Sequence, residues 1–449
     1  MSFEVTKELI EQVESLIQQQ DDTAIVSLLD DEHFADIAEI LEDLNLDQAT
    51  YIIKLLDSDK TSDILMELDE DDREKILKNL SAKEIAEELE ELDTDDAADM
   101  IAELPEERQE NVISQIEDEE HKADIKELLT YDEDSAGGLM AKELVKVNEN
   151  WTVLKCVREM RAQAENVTRV HSIYVVDDND ILKGRLSLKD LLVTSTKSPI
   201  SEIYIPKVDS VNVHDEAEDV ARIMQKYDLE AIPVVDNQQH LLGRITIDDI
   251  VDVIKEEAEK DYQLAAGLTQ DVEADDTIWQ HTKARLPWLF LGLIGGIGAA
   301  AIMGDFEEMI NKHAILFFFT PLIAAMAGNV GVQSSAIIVQ GLANDDLKGS
   351  IGNRLLKEFS LSIVNGFILA VLLFFFTWFW QNELLTSAAL SISLFVVIII
   401  AGIIGTFIPL FLDKRGIDPA IATGPFITTS NDIFGILIYF MIAKTILGI

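Results

Sequence analysis

The chain has 449 residues, of which 83 are acidic and 35 basic, giving a formal charge of −48, yet 48% are hydrophobic. The length excludes one small module, and so acidic a chain with so much apolar content cannot be one uniform domain. Residues 1–140 hold 45 acidic and 10 basic side chains, residues 141–276 hold 28 and 16, and residues 277–449 hold 10 and 9. Such a chain repels phosphate backbones and anionic headgroups, which argues against nucleic-acid binding and polybasic membrane docking and makes cations the natural partners. A single cysteine, Cys156, rules out an intramolecular disulfide and a thiolate zinc cluster.

The opening segment, MSFEVTKELIEQVESL, has no basic stretch followed by an apolar run, so a cytosolic amino-terminal region is expected. Apolar positions then recur at a spacing of 24. Leu41, Leu65, Leu89 and Ile113 align, as do Leu44, Leu68, Leu92 and Ile116, then Ile53, Leu77, Ile101 and Ile125, and finally Leu56, Leu80, Leu104 and Leu128. Within each copy the apolar residues fall three and four apart, broken by acidic punctuation such as Asp69–Asp72, which predicts two short amphipathic helices per repeat stacked as a solenoid. This all-α acidic domain is placed at 1–137.

Beyond Gly137 and Gly138, IYVVDDNDILKGRLSLKDLL from Ile173 aligns with IPVVDNQQHLLGRITIDDIV from Ile232. Each copy reads as strand, polar turn, glycine-containing strand, then Asp190 or Asp249 opening a helix. This tandem α/β unit resembles a pair of CBS modules at 138–260. The resemblance implies a regulatory unit, often dimeric, that takes adenine nucleotides or ions between its copies. Residues 261–284 are expected to form a connecting, plug-like helix.

From 285 to 449 the composition turns apolar, with five stretches of about spanning length: 286–303, 314–343, 359–380, 388–412 and 419–449. Lys283 and Arg285 precede the first, Lys348, Arg354 and Lys357 follow the second, and Lys414 and Arg415 follow the fourth. The positive-inside rule then puts the amino terminus in the cytosol and the carboxyl terminus outside.

No phosphate-binding loop, nucleophile elbow or HExxH motif is present, so an enzyme is not expected. The membrane region does carry polar residues where burial is costly. ATGPFITTSNDIFGILIYF places Asp432 in the fifth span with Thr428 one turn earlier on the same face, and AGNVGVQSS places Asn329 and Gln333 four apart in the second. Gly292 and Gly296 read as a packing pair in the first span. Oxygen-only ligands around one intramembrane carboxylate suit a hard cation held largely through its hydration shell, which favours magnesium.

Acidic helical repeats, a CBS pair, the junction KARLPWLFLGLIGG, the GNVGVQ element and ATGPFITTSNDIFGILIYF, in that order, resemble the MgtE family of magnesium transporters and channels. The resemblance covers essentially the whole chain. It implies a homodimer in the plasma membrane with five spans per subunit, Asp432 as the pore carboxylate, and a pore closed when cytosolic Mg2+ bridges the acidic domain, the CBS pair and the membrane domain. It further implies regulatory ligands among Asp95, Asp99, Asp228, Asp249, Asp252, Glu257, Asp261 and Asp418, and a CBS pair that admits ATP. The chain departs from the family pattern at Ala327, Val330, Val332 and Gln340, and has Lys255 and Lys260 where acidic residues are common. Two other readings stand beside this one: a nucleotide-gated transporter of Co2+ or Mn2+, and a membrane-anchored Mg2+ sensor.

Overall fold

A computed structural model describes residues 5–164, 167, 169–170, 172–270, 272, 276–343, 350–422 and 424–448. Lys348 and parts of the 261–284 segment lie outside the described residues. Two compact units divide the chain, residues 1–255 and 256–449.

The first unit opens with ten short helices, α1–α10: Lys7–Gln19, Asp22–Leu29, Phe34–Glu42, Leu46–Ile53, Ser58–Glu67, Glu70–Lys78, Ala82–Leu89, Thr94–Ala102, Glu106–Gln115 and Glu119–Leu128. From α3 onward the helices come in pairs, and the pairs recur at the 24-residue period. Helix α3 packs on α5, α5 on α7 and α7 on α9, while α4 meets α6 and α8 meets α10. Leu41, Leu65, Leu89 and Ile113 are all buried, as are Ile53, Leu77, Ile101 and Ile125. The repeat therefore records the burial stripe of stacked helices. Polar side chains cap the starts. Ser81 accepts from the Glu84 amide while Glu84 accepts from Ser81, and Asn45 and Gln48 do the same.

The α/β pair follows. Strands β1 (Val145–Asn148), β2 (Ile173–Val176), β3 (Leu182–Leu186) and β4 (Ile205–Pro206) form one sheet in that order, with α11 (Val153–Gln163) and α12 (Leu188–Val193) inserted along the chain. Strands β5 (Val211–Asn212), β6 (Ala231–Val235) and β7 (Leu241–Thr246) form the second, with α13 (Ala217–Tyr227) crossing from β5 to β6. In both sheets a parallel pair precedes an antiparallel hairpin, β1 with β2 and β5 with β6, then β2 with β3 and β6 with β7. The alignment of the two copies is thus an alignment of topology. Helix α14 (Ile247–Ala266) begins where β7 ends. One hydrophobic core runs through the helical repeats and the second α/β copy, from Val13 to Val253, while the first copy has its own smaller core around Val145, Cys156 and Ile173.

The second unit contains α15 (Ile278–Asp305), the short α16 (Glu307–Lys312), α17 (Ile315–Ala343), α18 (Ile351–Gln381), α19 (Leu384–Asp413) and α20 (Pro425–Leu447). All except α16 are long and apolar enough to cross a membrane. Helix α19 packs against α17, α18 and α20 and is the most buried, whereas α15 touches mainly α20 and α16. Residues 261–284 hold the end of α14 and the start of α15, and α15 then continues into the first span. Neither Gly292 nor Gly296 has a neighbour near its missing Cβ. The packing glycine of α15 is Gly295, where a Cβ would fall 2.0 Å from the Thr429 methyl group. The third helix also begins earlier than its apolar run, at Ile351 instead of 359, which places Glu358 inside it.

Candidate metal centres

Two sets of carboxylates stand out, one in each unit. In the first unit, the start of α8 faces the start of α14. Asp95 is buried, and Asp93, Asp96, Asp99 and Asp249 are half-buried beside it. Burial raises all of their pKa values, and mutual repulsion adds to it. The Asp93 carboxyl is pushed up to about 6, next by Glu143, and Asp96 to about 7, next by Asp249 and Asp93. Asp99 rises to about 8 through burial and then Asp96 and Glu133, and Asp95 and Asp249 rise as well. Asp249 is fixed by Thr246, whose amide and hydroxyl donate to its Oδ2 at 3.0 and 2.8 Å.

Positive and neutral donors frame this cluster without neutralising it. Arg244 is buried and donates through Nη2 to Asp93 at 3.3 Å and through Nε to the Glu143 carbonyl. The Thr94 hydroxyl donates to Glu143 at 2.8 Å, and the Lys142 amide donates to the Thr94 hydroxyl at 2.9 Å. These contacts tie the helical repeats to the second α/β copy. Among the described residues, no three His, Cys, Asp or Glu side chains are grouped so as to hold a metal ion.

Of the sequence-predicted ligands, the structure brings together Asp95, Asp99 and Asp249. It adds Asp93, Asp96 and Asp248, which periodicity could not connect because α8 and α14 lie about 150 positions apart in sequence. Asp228 is exposed at the left-handed cap of α13, and Asp252 is exposed one turn after Asp249. In the second unit Glu257 pairs with Lys260 at 2.9 Å, Asp261 is half-buried near the end of α14, and Asp418 accepts from the Ala420 amide at 2.7 Å.

The second set lies among the membrane helices. Thr428 and Asp432 both border Gly328 of α17. A Cβ there would sit 3.2 Å from the Thr428 methyl group and 3.7 Å from Asp432 Oδ1. The glycine therefore lets α17 approach the carboxylate turn of α20. Asn329 and Gln333 are exposed on α17. One residue earlier than Asp432, Asn431 is 1% exposed and has no hydrogen-bond partner on either amide atom. Its Nδ2 would lie 1.8 Å from a Cβ on Gly331, and a Cβ on Gly405 of α19 would come within 2.4 Å of the Gly331 carbonyl oxygen. Three helices thus converge beside Asp432. At the start of α20, Gly424 and Gly267 have positive φ. A Cβ on Gly424 would meet the Ala265 carbonyl at 2.2 Å, and one on Gly267 would meet Pro425 at 2.4 Å. The segment after α14 is therefore seated on the first turn of the Asp432 helix.

Residues 32–134 match the family model for the MgtE intracellular N domain, residues 136–195 and 200–256 that for the CBS domain, and residues 320–442 that for the MgtE divalent cation transporter. The chain is 38% identical over 322 residues to the magnesium transporter MgtE of Enterococcus faecalis, covering 72% of this chain and 71% of that one. For the magnesium transporter MgtE of Thermus thermophilus the identity is 34% over 334 residues, with 73% of each chain covered. The crystal structure of the cytosolic domain of the Mg2+ channel MgtE in complex with ATP aligns with a TM-score of 0.52 at 34% identity, over 55% of this chain and all of that one. The soluble part of a magnesium transporter aligns with a TM-score of 0.50 at 30% identity, over 56% and 99%.

Proposed function

Because the chain belongs to the MgtE family, whose members are transporters and not enzymes, we propose that it carries Mg2+ into the cell along a path that passes Asp432, and that cytosolic Mg2+ closes this path. The observation that carries the reading is Asp432 itself, a carboxylate on a membrane helix, held beside a glycine that brings a second helix close. An intramembrane carboxylate is costly unless it serves water, an ion or a partner. Asn329 and Gln333, exposed on the single chain, would also be costly against lipid, though less so than a carboxylate. A homodimer that turns them toward the shared path accounts for both. With an intracellular N domain and five spans, the carboxyl terminus lies outside the plasma membrane.

Control rests on the carboxylates of α8 and α14. Docking the helical repeats on the second α/β copy buries acids that repel one another, and hydrated Mg2+ shared among them replaces that repulsion with attraction. The ion thus favours the docked state by its differential affinity. Helix α14 carries Asp249 near its start, and Ala265 and the following Gly267 near its end lie against the first turn of α20. A shift of α14 is in this reading the stroke that closes the path. Asp228, Asp252, Glu257, Asp261 and Asp418 supply further weak sites. ATP bound between the α/β copies would stiffen the same unit.

Liposomes carrying the full chain and a Mg2+-sensitive dye test this. Magnesium uptake is expected, with Ca2+ and Co2+ competing weakly, and Asp432→Ala should abolish it. Absence of flux from well-folded protein at low internal Mg2+ refutes transport and favours a sensor. Preference for Co2+ or Mn2+, with ATP and not Mg2+ setting the gate, favours the other transporter reading.

A further inference from the structure

A second membrane carboxylate, Glu358, has no part in the path described above. It is the sole acidic residue of α18 and sits in its third turn, half-buried. The Ser334 hydroxyl of α17 donates to Glu358 Oε1 at 2.7 Å, and the Ser362 hydroxyl, one turn along α18, lies 3.5 Å from the same oxygen. Both serines are buried, at 5% and 2% exposure. Gly402 of α19 closes the site: a Cβ there would fall 2.4 Å from Ser362 Oγ and 2.9 Å from Glu358 Oε1. Among the described ion pairs none gives Glu358 a basic partner.

We propose that Glu358 is a positioning residue for transport, its hydrogen bond from Ser334 fixing the rotation and depth of α17 and hence the wall beside Asp432. Ser334 lies three residues beyond Gly331, where α17 receives Asn431 of α20 and touches Gly405 of α19. Apolar helix contacts in lipid permit sliding, whereas a hydrogen bond to a carboxylate fixes one register. The close approach at Gly331 needs that register, because Asn431 fits only where α17 presents a residue without a side chain. Since neutral hydroxyls hold Glu358, its role is as an acceptor, and a glutamine carbonyl serves equally well.

This inference rests on the transport reading, and the test separates the two. Initial Mg2+ uptake against external Mg2+ is measured for wild type, E358Q, E358A, S334A and the S334A/E358A double variant, each checked for a single size-exclusion peak. E358Q should keep maximal flux within about twofold of wild type, while E358A and S334A lose about tenfold at unchanged half-saturation. The double variant should be no worse than E358A. An E358Q variant as impaired as E358A, with raised half-saturation, overturns the proposal, because the charge and not the hydrogen bond would then matter. Wild-type flux in E358A, or additive losses in the double variant, also overturns it. If E358A does not fold, S334A, which removes a single hydroxyl, decides. Thermal-unfolding midpoints of the same variants provide a cycle independent of flux. A wild type without flux would refute the transport reading alone, and additive midpoint shifts would still refute the Ser334–Glu358 link.

Discussion

Acid should imitate magnesium in the cytosolic unit. Asp96 is held at about 7 and Asp99 at about 8, by burial first and then by neighbouring carboxylates, against an ordinary value of 3.8. Because the folded values lie above the unfolded one, the favourable contribution is complete below pH 3.8 and is lost progressively as pH rises from there through the folded values of about 7 and about 8. Lowering the pH from 7.5 to 5.5 protonates Asp96 in the folded state while leaving the unfolded chain ionised, a gain of roughly 2 kcal/mol. Asp99 gains slightly more alone, but the groups repel one another, so protonating one relieves the next. A combined gain of about 3 kcal/mol is the reasonable expectation, or on the order of 5 to 10 °C in the unfolding midpoint of a unit this size. The assay is a thermal melt of the full chain in detergent with chelator, followed by circular dichroism, at the two pH values. Magnesium at pH 7.5 should raise the midpoint and shrink the gain on acidification, since ion and proton compete for the same oxygens. The Asp96→Asn/Asp99→Asn variant should melt higher at pH 7.5 without Mg2+ and respond weakly to both. A midpoint that falls on acidification, or a variant with an undiminished pH response, refutes the assignment.

Other outcomes follow from single contacts. Glu88 is buried, accepts the Thr61 hydroxyl at 2.6 Å and is raised by burial to about 7. Glu88→Gln keeps an acceptor without the charge and should stabilise the chain by about 2 kcal/mol at pH 8 and by nothing at pH 4, measured by denaturant melts. Arg73 is buried, pairs with Glu103 and donates to the Met66 carbonyl at 3.1 Å. Arg73→Ala should therefore cost about 3 kcal/mol in the same melts. Gly331→Ala drives a methyl group into Asn431 and should lower the yield of monodisperse protein and its Mg2+ flux, whereas Gly292→Ala, with no atom within 4 Å, should change neither.

Local period made much of the fold readable. Leu41 and its partners at 24-residue intervals are buried because each stacked helix pair offers the same seam, and the paired Ile173 and Ile232 segments share one strand order because the copies share one topology. The five spans were readable for a similar reason, since crossing lipid demands a composition. Asp432 and Thr428 stood out as polar residues in an apolar run. What escaped were pairings across sequence distance. Asp93 and Asp96 become members of a charged cluster only when α8 meets α14, and no spacing encodes that. Glu358 was hidden by its neighbours Arg354 and Lys357, which made its turn look like a loop. The glycine pair at Gly292 and Gly296 fitted a packing motif, but the side of α15 that meets α20 is set by Thr429, which selects Gly295.

The core shared by the helical repeats and the second α/β copy bears on how such a protein could be assembled or dismantled over evolution. Val211, Val220, Ile232 and Ile250 belong to one buried core with the helical repeats. Deleting residues 1–137 would strip cover from half of the α/β pair, while the first copy, with its independent core, would survive. A lineage that shed its acidic domain would need to rebuild the exposed face of the second copy at the same time. A recombination boundary that keeps this shared core whole therefore lies after α14, not at the glycine pair that divides the two patterns in sequence.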